Sequence, residues 1–471
     1  MGPTVIGLLN GSALKRRLLS GGVWAAGGRV GASVLGLVTN FALLHMLTPP
    51  EYVVYGLAFT IVTVGVVIGS MGLPKTVVQF VAENMALNQT GRARRAISLV
   101  LGLGLFGALG VSLAYLLVAD LVGNLLNSSA LVALAGLTAG WIAISVVQEI
   151  TAETFRGFHD VRLATLLGGL ATGGKSGGLI MRVLLLGGLV WLWLTSEDGK
   201  TDLQAVLLVS VGAGVASGLL AGWLLYGKLS SLRTQGAVEN PMSAKDVLRD
   251  AFPFVFISLT SFVLLSASDL WILTAFLPTK EEVAPYLAAT KLVTFIAMPL
   301  LIVNLVLPPI IAEMYARGQT GRLERAVRSF STLAGVPSLL LLLSFMLLGG
   351  PLLVLFSGED LYRSGWAVLV ILSLGKLVAV WSGSCGAVLQ FTGHQTSMLR
   401  VSLLTGLLFV VGALLVVYLL PREYIPEGVA AMTTLTAVVQ NVRMVLVARR
   451  KTGMWTHVMF SLSPFRKVLS R

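Results

Sequence analysis

Twelve long apolar stretches dominate the sequence, and each contains few charged residues or none. A helix needs about 20 residues to cross ~30 Å of hydrocarbon, and each stretch reaches roughly that length. They lack the alternation of a membrane barrel, and lipid offers no partner for free backbone groups, so we predict helices. The stretches lie near 20–43, 53–73, 96–119, 130–148, 168–194, 203–226, 251–277, 283–307, 329–356, 364–390, 397–420 and 426–448.

The composition agrees with a chain embedded in lipid. Hydrophobic residues make up 56% of the sequence and charged residues 12%, with a mean hydropathy of +0.88. Soluble domains contain roughly 25% charged residues. The single cysteine, Cys385, excludes an intramolecular disulfide and a cysteine metal site, and the four histidines show no metal-binding spacing. We therefore predict an all-α integral membrane protein without a metal or cofactor.

Basic residues alternate between the two sides of the predicted membrane. With the N-terminus inside, 24 of the 34 Lys and Arg residues fall in inner segments. The outer loops hold only Lys200, Lys280, Arg363 and Arg422. This bias predicts that both termini are cytoplasmic. It also predicts anionic membrane lipids as partners of the basic segments, so the net charge of +13 requires no nucleic acid.

The two halves of the chain resemble each other. Gln-Thr-Gly-Arg at 89–92 recurs at 319–322, and Tyr55 and Ala58 match Tyr286 and Ala289 with a one-residue shift. Six spans per half is an even number, so the halves are predicted to be parallel repeats that form two six-helix lobes around a central cavity. The predicted domains are an N-lobe at 1–226, a cytoplasmic linker at 227–250, a C-lobe at 251–448 and a basic cytoplasmic tail at 449–471.

Ionisable residues inside the predicted spans are costly and therefore indicate function, and cations outnumber acids among them. A cavity lined by cations attracts an anion such as phosphate or pyrophosphate. We predict that Lys376, Lys291 and Arg29 line this cationic cavity, with Arg182 and Lys175 as further candidates, whereas Arg443 is close enough to the inner interface to snorkel. Asp269 is either a coupling-ion site or a structural counter-ion, and the second reading is favoured.

Several short motifs resemble one family of exporters. Leu-Thr-Pro-Pro-Glu-Tyr at 47–52 with Tyr55-Gly56, Glu-Thr-Phe-Arg-Gly-Phe at 153–158 and Pro-Tyr-Leu-Ala-Ala-Thr-Lys at 285–291 are similar to motifs of O-antigen and polysaccharide flippases (Wzx type). These flippases belong to the multidrug/oligosaccharidyl-lipid/polysaccharide (MOP) exporter superfamily. Val53 and Ala284 depart from the glycine that is common in the family at these positions.

The resemblance implies translocation of a polyprenyl-pyrophosphate-linked glycan across a bacterial or archaeal inner membrane, with glycosyltransferases or a polymerase of the same pathway as further partners. A peptidoglycan-precursor flippase and a drug/cation antiporter of the same superfamily remain alternatives. The antiporter would need more acidic residues in the spans. An enzyme is disfavoured because no predicted outer loop exceeds about ten residues.

Overall fold

A computed structural model describes residues 12–87, 89–168, 178–196, 199–231, 243–245, 247–248, 251 and 268–459. These residues are almost entirely helical, and no strand occurs among them. The chain divides into two compact units. From here on, N-lobe means the unit Met1–Leu47 with Val54–Leu259, and C-lobe means the unit Thr48–Val53 with Thr260–Arg471. These bounds replace the predicted ones given above.

The first nine helices belong to the N-lobe, except for the first turn of α2. They are α1 Ser12–Met46, α2 Pro49–Gly69, α3 Leu73–Ala86, α4 Thr90–Leu125, α5 Ser129–Ala133, α6 Ala135–Gly157, α7 Val161–Leu167, α8 Leu179–Thr195 and α9 Leu203–Ser231. Three of these helices, α3, α5 and α7, are short, and each follows a turn at the end of a longer helix.

The described part of the C-lobe contains seven α-helices, and single 3-10 turns precede two of them. They are α10 Ser268–Phe276, α11 Ala284–Ala316, α12 Thr320–Ser357, α13 Trp366–Ser382, α14 Cys385–Phe391, α15 Gln395–Leu419 and α16 Ile425–Thr452.

Nine helices within the described residues are long and apolar enough to cross a membrane, and two shorter apolar helices accompany them. The all-helical membrane class is therefore confirmed, while the count of twelve spans stays a prediction. Most of the predicted seventh span, 251–277, lies outside the described residues. The same holds for most of the predicted linker, which α9 enters as far as Ser231.

Helix α6 differs from its predicted span, because it continues to Gly157 rather than ending near 148. The extension adds Glu149 and Glu153 to the helix, and other membrane-length helices also carry acids, such as Asp120 in α4 and Glu427 in α16. Glu153 is paired with Arg156 at 2.5 Å, one turn later. Because Glu153 is paired with Arg156 on its own helix, it does not neutralise any of the predicted site cations.

The N-lobe core is built around α6, which packs against α3, α4, α7 and α9. Its Trp141 is fully buried and lies 5.9 Å from the Tyr55 ring and 6.0 Å from the Phe59 ring, measured between centroids. Aromatic contacts at this separation are favourable beyond simple area burial. They fix α2, and with it the Tyr55 hydroxyl, against the centre of the lobe.

The segment after α16 packs onto the C-lobe. The Val458 amide donates to the Trp381 carbonyl at 2.9 Å, and the Ser331 hydroxyl donates to the Thr456 carbonyl at 3.0 Å. These bonds tie the start of the predicted basic tail to α12 and to the end of α13. Residues 460–471 lie outside the described residues.

Candidate functional site

The structure describes the side chains of four of the six predicted site residues. Lys175 lies outside the described residues, and Arg29 is placed in α1 by its backbone only. The other four are Arg182 on α8, Asp269 on α10, Lys291 on α11 and Lys376 on α13.

Three of these four come together in the C-lobe. Asp269 interacts electrostatically with both Lys291 and Lys376. Lys376 is exposed, whereas Lys291 and Asp269 are partly buried. Two cations therefore share one carboxylate, and the group keeps a net positive charge when all three residues are ionised. We call Asp269, Lys291 and Lys376 the C-lobe charge cluster.

Asp269 is held by hydrogen bonds rather than by an ion pair. Its Oδ1 accepts a 2.8 Å bond from the Leu270 amide, and its Oδ2 accepts a 3.0 Å bond from the Tyr286 hydroxyl. Among the ion pairs within 4 Å in the described part of the chain, none involves Asp269. The carboxylate thus has a fixed orientation, and both lysines stay beyond direct contact with it.

Tyr286 and Thr433 are members of this site that the charge pattern did not predict. Tyr286 is 1% exposed, and its hydroxyl lies near the Thr433 side chain, whose own hydroxyl donates to the Val429 carbonyl at 2.9 Å. Two sequence signals pointed to Tyr286: its match to Tyr55 in the internal repeat, and its place in the motif at 285–291. Thr433 is one of many hydroxyl residues in the helices, and no sequence signal singled it out.

A glycine allows α13 and α16 to meet beside the cluster. A β-carbon at Gly375 would lie 3.0 Å from Thr434 Oγ1 and 3.1 Å from its Cα, tighter than ordinary contacts. The small residue brings the two backbones close together. Lys376 and Thr433, the preceding neighbour of Thr434, are thereby placed on adjoining parts of these two helices.

Arg182 occupies a separate site in the N-lobe. Its guanidinium packs directly over Gly36 of α1, where a β-carbon would collide with Nη1. It also interacts electrostatically with Tyr55, which lies near Ser210. The Nε of Arg182 is buried and without a hydrogen-bond partner. We call Arg182, Tyr55 and Ser210 the N-lobe charge site.

A cleft lies at one end of the C-lobe, which the basic-residue pattern predicts to be the outer end. Its volume is about 770 Å³. Arg422 donates to both carboxylate oxygens of Glu282, at 2.5 and 3.2 Å, and thereby joins two connections across the cleft. These bonds lower the pKa of the Glu282 carboxyl below its ordinary value. Tyr286 also lines the cleft, so one residue borders both the cleft and the charge cluster.

Comparisons with solved structures show the fold. The chain matches an inward-facing multidrug resistance MATE family transporter of the MOP superfamily with a TM-score of 0.74 and 16% identity, over 91% of this chain and 98% of that one. An outward-facing transporter of the same description matches with a TM-score of 0.66 and 16% identity, over 93% and 96% of the two chains. A MOP superfamily transporter from Pyrococcus furiosus matches at 0.62 and 16%, over 92% and 95%.

Sequence comparison gives the family. No curated protein sequence matches the chain. A family model described as polysaccharide biosynthesis protein matches residues 18–315, which is more than half of the chain. Together with the shared fold, this match confirms the resemblance to the polysaccharide exporters of the MOP superfamily. The chain belongs to the polysaccharide biosynthesis protein family.

Proposed function

We propose that the protein translocates a lipid-pyrophosphate-linked oligosaccharide, a precursor of a polysaccharide or O-antigen, across the inner membrane. The observation that carries the proposal is the sign of the charge within the lobes. Lys291 and Lys376 share the single carboxylate of Asp269, and Arg182 of the N-lobe has an unpartnered Nε. Cations held in membrane-spanning helices favour an anionic cargo, and a pyrophosphate headgroup is such an anion.

The exposure of Lys376 supports a role in binding. Lys376 is exposed although it lies in the second half of an apolar helix of 17 residues. A lysine placed there at a cost of about 2.5–3.5 kcal/mol needs a compensating partner. A phosphate oxygen that arrives with the substrate supplies this partner for part of the cycle. Weak binding also suits transport, because the cargo must leave after it has crossed.

Alternating access is the proposed mechanism. Solved transporters of the same fold are described in inward-facing and outward-facing conformations. A third is described as having a binding pocket of reverse polarity that suggests a different function. That description favours inferring the cargo from the charge of the pocket rather than from the fold alone. In the C-lobe of this chain, two lysines, Lys291 and Lys376, interact with the one carboxylate of Asp269.

Complementation of a flippase-deficient bacterium tests the function. We expect the wild-type chain to restore surface glycan and to clear the accumulated lipid-linked intermediate. Lys376→Met and Lys291→Met should abolish the rescue, whereas Lys376→Arg should keep it because it preserves the charge. Lys200→Met removes a charge from a connecting loop and is the matched control. Normal export by both methionine variants, at equal protein level in the membrane, would contradict the proposal.

A drug/cation antiporter is the second candidate, and the multidrug transporters that share the fold favour it. It requires a carboxylate that binds a cation in exchange, and Asp269 is the candidate in the C-lobe. Efflux of a cationic dye that is lost in Asp269→Asn, together with no rescue of glycan export, would replace the flippase assignment. Rescue of a strain that lacks its peptidoglycan-precursor flippase would redirect the assignment to that substrate.

A further inference from the structure

The C-lobe charge cluster holds opposite charges close together without an ion pair, and this needs a physical cause. Two unit charges at 4 Å attract each other by about 4 kcal/mol at an intermediate effective dielectric constant, compared with about 1 kcal/mol in water. Lysine has a long, flexible side chain that can swing towards a carboxylate. Asp269 nevertheless has no cation within 4 Å in the described part of the chain.

Tyr286 supplies the restraint. Its ring is buried, and its hydroxyl donates to Oδ2 of Asp269 at 3.0 Å. The Leu270 amide donates a hydrogen bond to Oδ1 of Asp269. A hydrogen bond to an ionised acceptor is stronger than one between neutral groups, and the tyrosine ring has only two rotatable side-chain angles. The carboxylate is thus oriented by a rigid donor, and the lysines are left accessible.

The N-lobe has a related tyrosine but not the same arrangement. Tyr55 is the counterpart of Tyr286 in the internal repeat, and it lies near Ser210 and interacts electrostatically with Arg182. Ser210 is the eighth residue of α9, and Thr433 is the ninth residue of α16. Each tyrosine therefore lies near a hydroxyl residue of the last helix of its lobe, but only Tyr286 donates to a carboxylate among the described residues.

We infer that Tyr286 is a positioning residue for an anionic headgroup, and that it keeps the cations of the C-lobe available to phosphate oxygens. In the C-lobe, Tyr286 does this by holding Asp269 away from Lys291 and Lys376. Without the hydroxyl, Asp269 turns to the lysines and neutralises one of them. The inference rests on the proposed function, since it assumes that the cargo is an anion.

Binding of inorganic pyrophosphate to the purified full-length protein in lipid nanodiscs tests the inference. We expect Tyr286→Phe to weaken binding by about tenfold, as is typical when a hydrogen bond to a charged group is lost. Asp269→Asn alone should bind at least as tightly as wild type. The double variant Tyr286→Phe/Asp269→Asn should return to within about twofold of wild type, because no carboxylate remains to compete.

Two controls separate positioning from general damage to the fold. Tyr362→Phe removes another buried hydroxyl of the C-lobe, one without a hydrogen-bond partner, and should leave binding unchanged. Tyr55→Phe removes the corresponding hydroxyl of the N-lobe, and Asp269→Asn should not rescue any loss of binding that it causes, since Asp269 belongs to the other lobe. A rescue limited to Tyr286→Phe is not expected if the tyrosines only support packing.

The outcomes distinguish this inference from the proposed function. If wild type binds pyrophosphate and Tyr286→Phe binds equally well, the positioning role is wrong and the anionic cargo stands. If the double variant is as weak as Tyr286→Phe, Tyr286 acts on packing and the inference is again wrong. If wild type does not bind pyrophosphate and does not restore glycan export, both the inference and the proposed function fail.

Discussion

Arg182 of α8 lies directly against Gly36 of α1, so closely that any β-carbon at position 36 would meet its Nη1 atom. The two residues are 146 positions apart, and the contact joins the helix that carries the cation to the first helix of the N-lobe. A glycine at this point leaves room for a guanidinium inside the lobe. The identity of residue 36 therefore controls where the charge of Arg182 lies.

Gly36→Ala should move the charge of Arg182 without loosening the fold. The colliding atom is the end of a flexible side chain, and alanine stabilises a helix by roughly 0.5–1 kcal/mol relative to glycine. We expect an unchanged or slightly higher melting temperature, with pyrophosphate binding weakened by about fivefold, equivalent to ~1 kcal/mol. Gly27→Ala in the same helix, where the added carbon meets open space, is the control. Equal effects of the two substitutions would contradict the prediction.

The charged members of the site could be predicted from the sequence, whereas their partners could not. An ionisable residue such as Lys376 stands out in an apolar stretch because almost every neighbour is aliphatic. The bond from Tyr286 to Asp269 depends on which faces of α10 and α11 meet, and no local pattern encodes that meeting. Only the duplication placed Tyr55 and Tyr286 in equivalent positions.

The end of a helix is also only partly predictable from the sequence. Hydropathy placed the end of the fourth span near 148, where the sequence becomes polar, but α6 continues to Gly157. A helix can extend beyond the hydrocarbon when its charges are paired on its own surface, as Glu153 and Arg156 are. Composition locates the apolar part of a helix, while side-chain pairing decides where the helix ends.

Gly383→Ala should destabilise the C-lobe. Gly383 has φ 71° and ψ −159°, a conformation that only glycine adopts readily, and an added β-carbon would collide with the Thr456 carbonyl and the Ser331 hydroxyl. We expect a loss of about 3 kcal/mol or more, since backbone atoms cannot move aside as a flexible side chain can.

The matched control for this substitution is Gly393→Ala. Gly393 also has a positive φ, 83°, but its added β-carbon would meet no atom within 4 Å. It should lose only the backbone strain of about 1–2 kcal/mol. Thermal unfolding of the two purified variants measures the difference, and equal melting temperatures would show that the contact with the segment after α16 does not constrain the fold.

Lys280 should react with amine reagents at unusually low pH. Partial burial lowers the pKa of its ammonium to about 8, and its Nζ donates to the Thr274 carbonyl at 3.1 Å. An impermeant acylating reagent added to intact cells should therefore modify Lys280 with a rate that rises through pH 8. Lys200, predicted to lie on the same side of the membrane, is the internal comparison. Modification only after the cells are broken would show that the predicted topology is inverted.

Glu282→Gln should lower the melting temperature in a pH-dependent manner. The bonds from Arg422 lower the pKa of the Glu282 carboxyl, and Thr279 adds a 2.6 Å bond to Oε1. A carboxyl with a lowered pKa contributes stability above its unfolded pKa of about 4.3, and this contribution disappears as the pH falls through the lowered folded value.

The difference between wild type and Glu282→Gln should therefore be constant from pH 6 to pH 8 and shrink below about pH 4. High salt should reduce it at neutral pH, because Arg422 is exposed and its charge is screened. Glu281→Gln, at the adjoining exposed position, should show neither dependence. A difference that persists at pH 3 would mean that the amide substitution acts through packing of the cleft, and the ion pair between Glu282 and Arg422 would then have no measurable role in holding its two connections together.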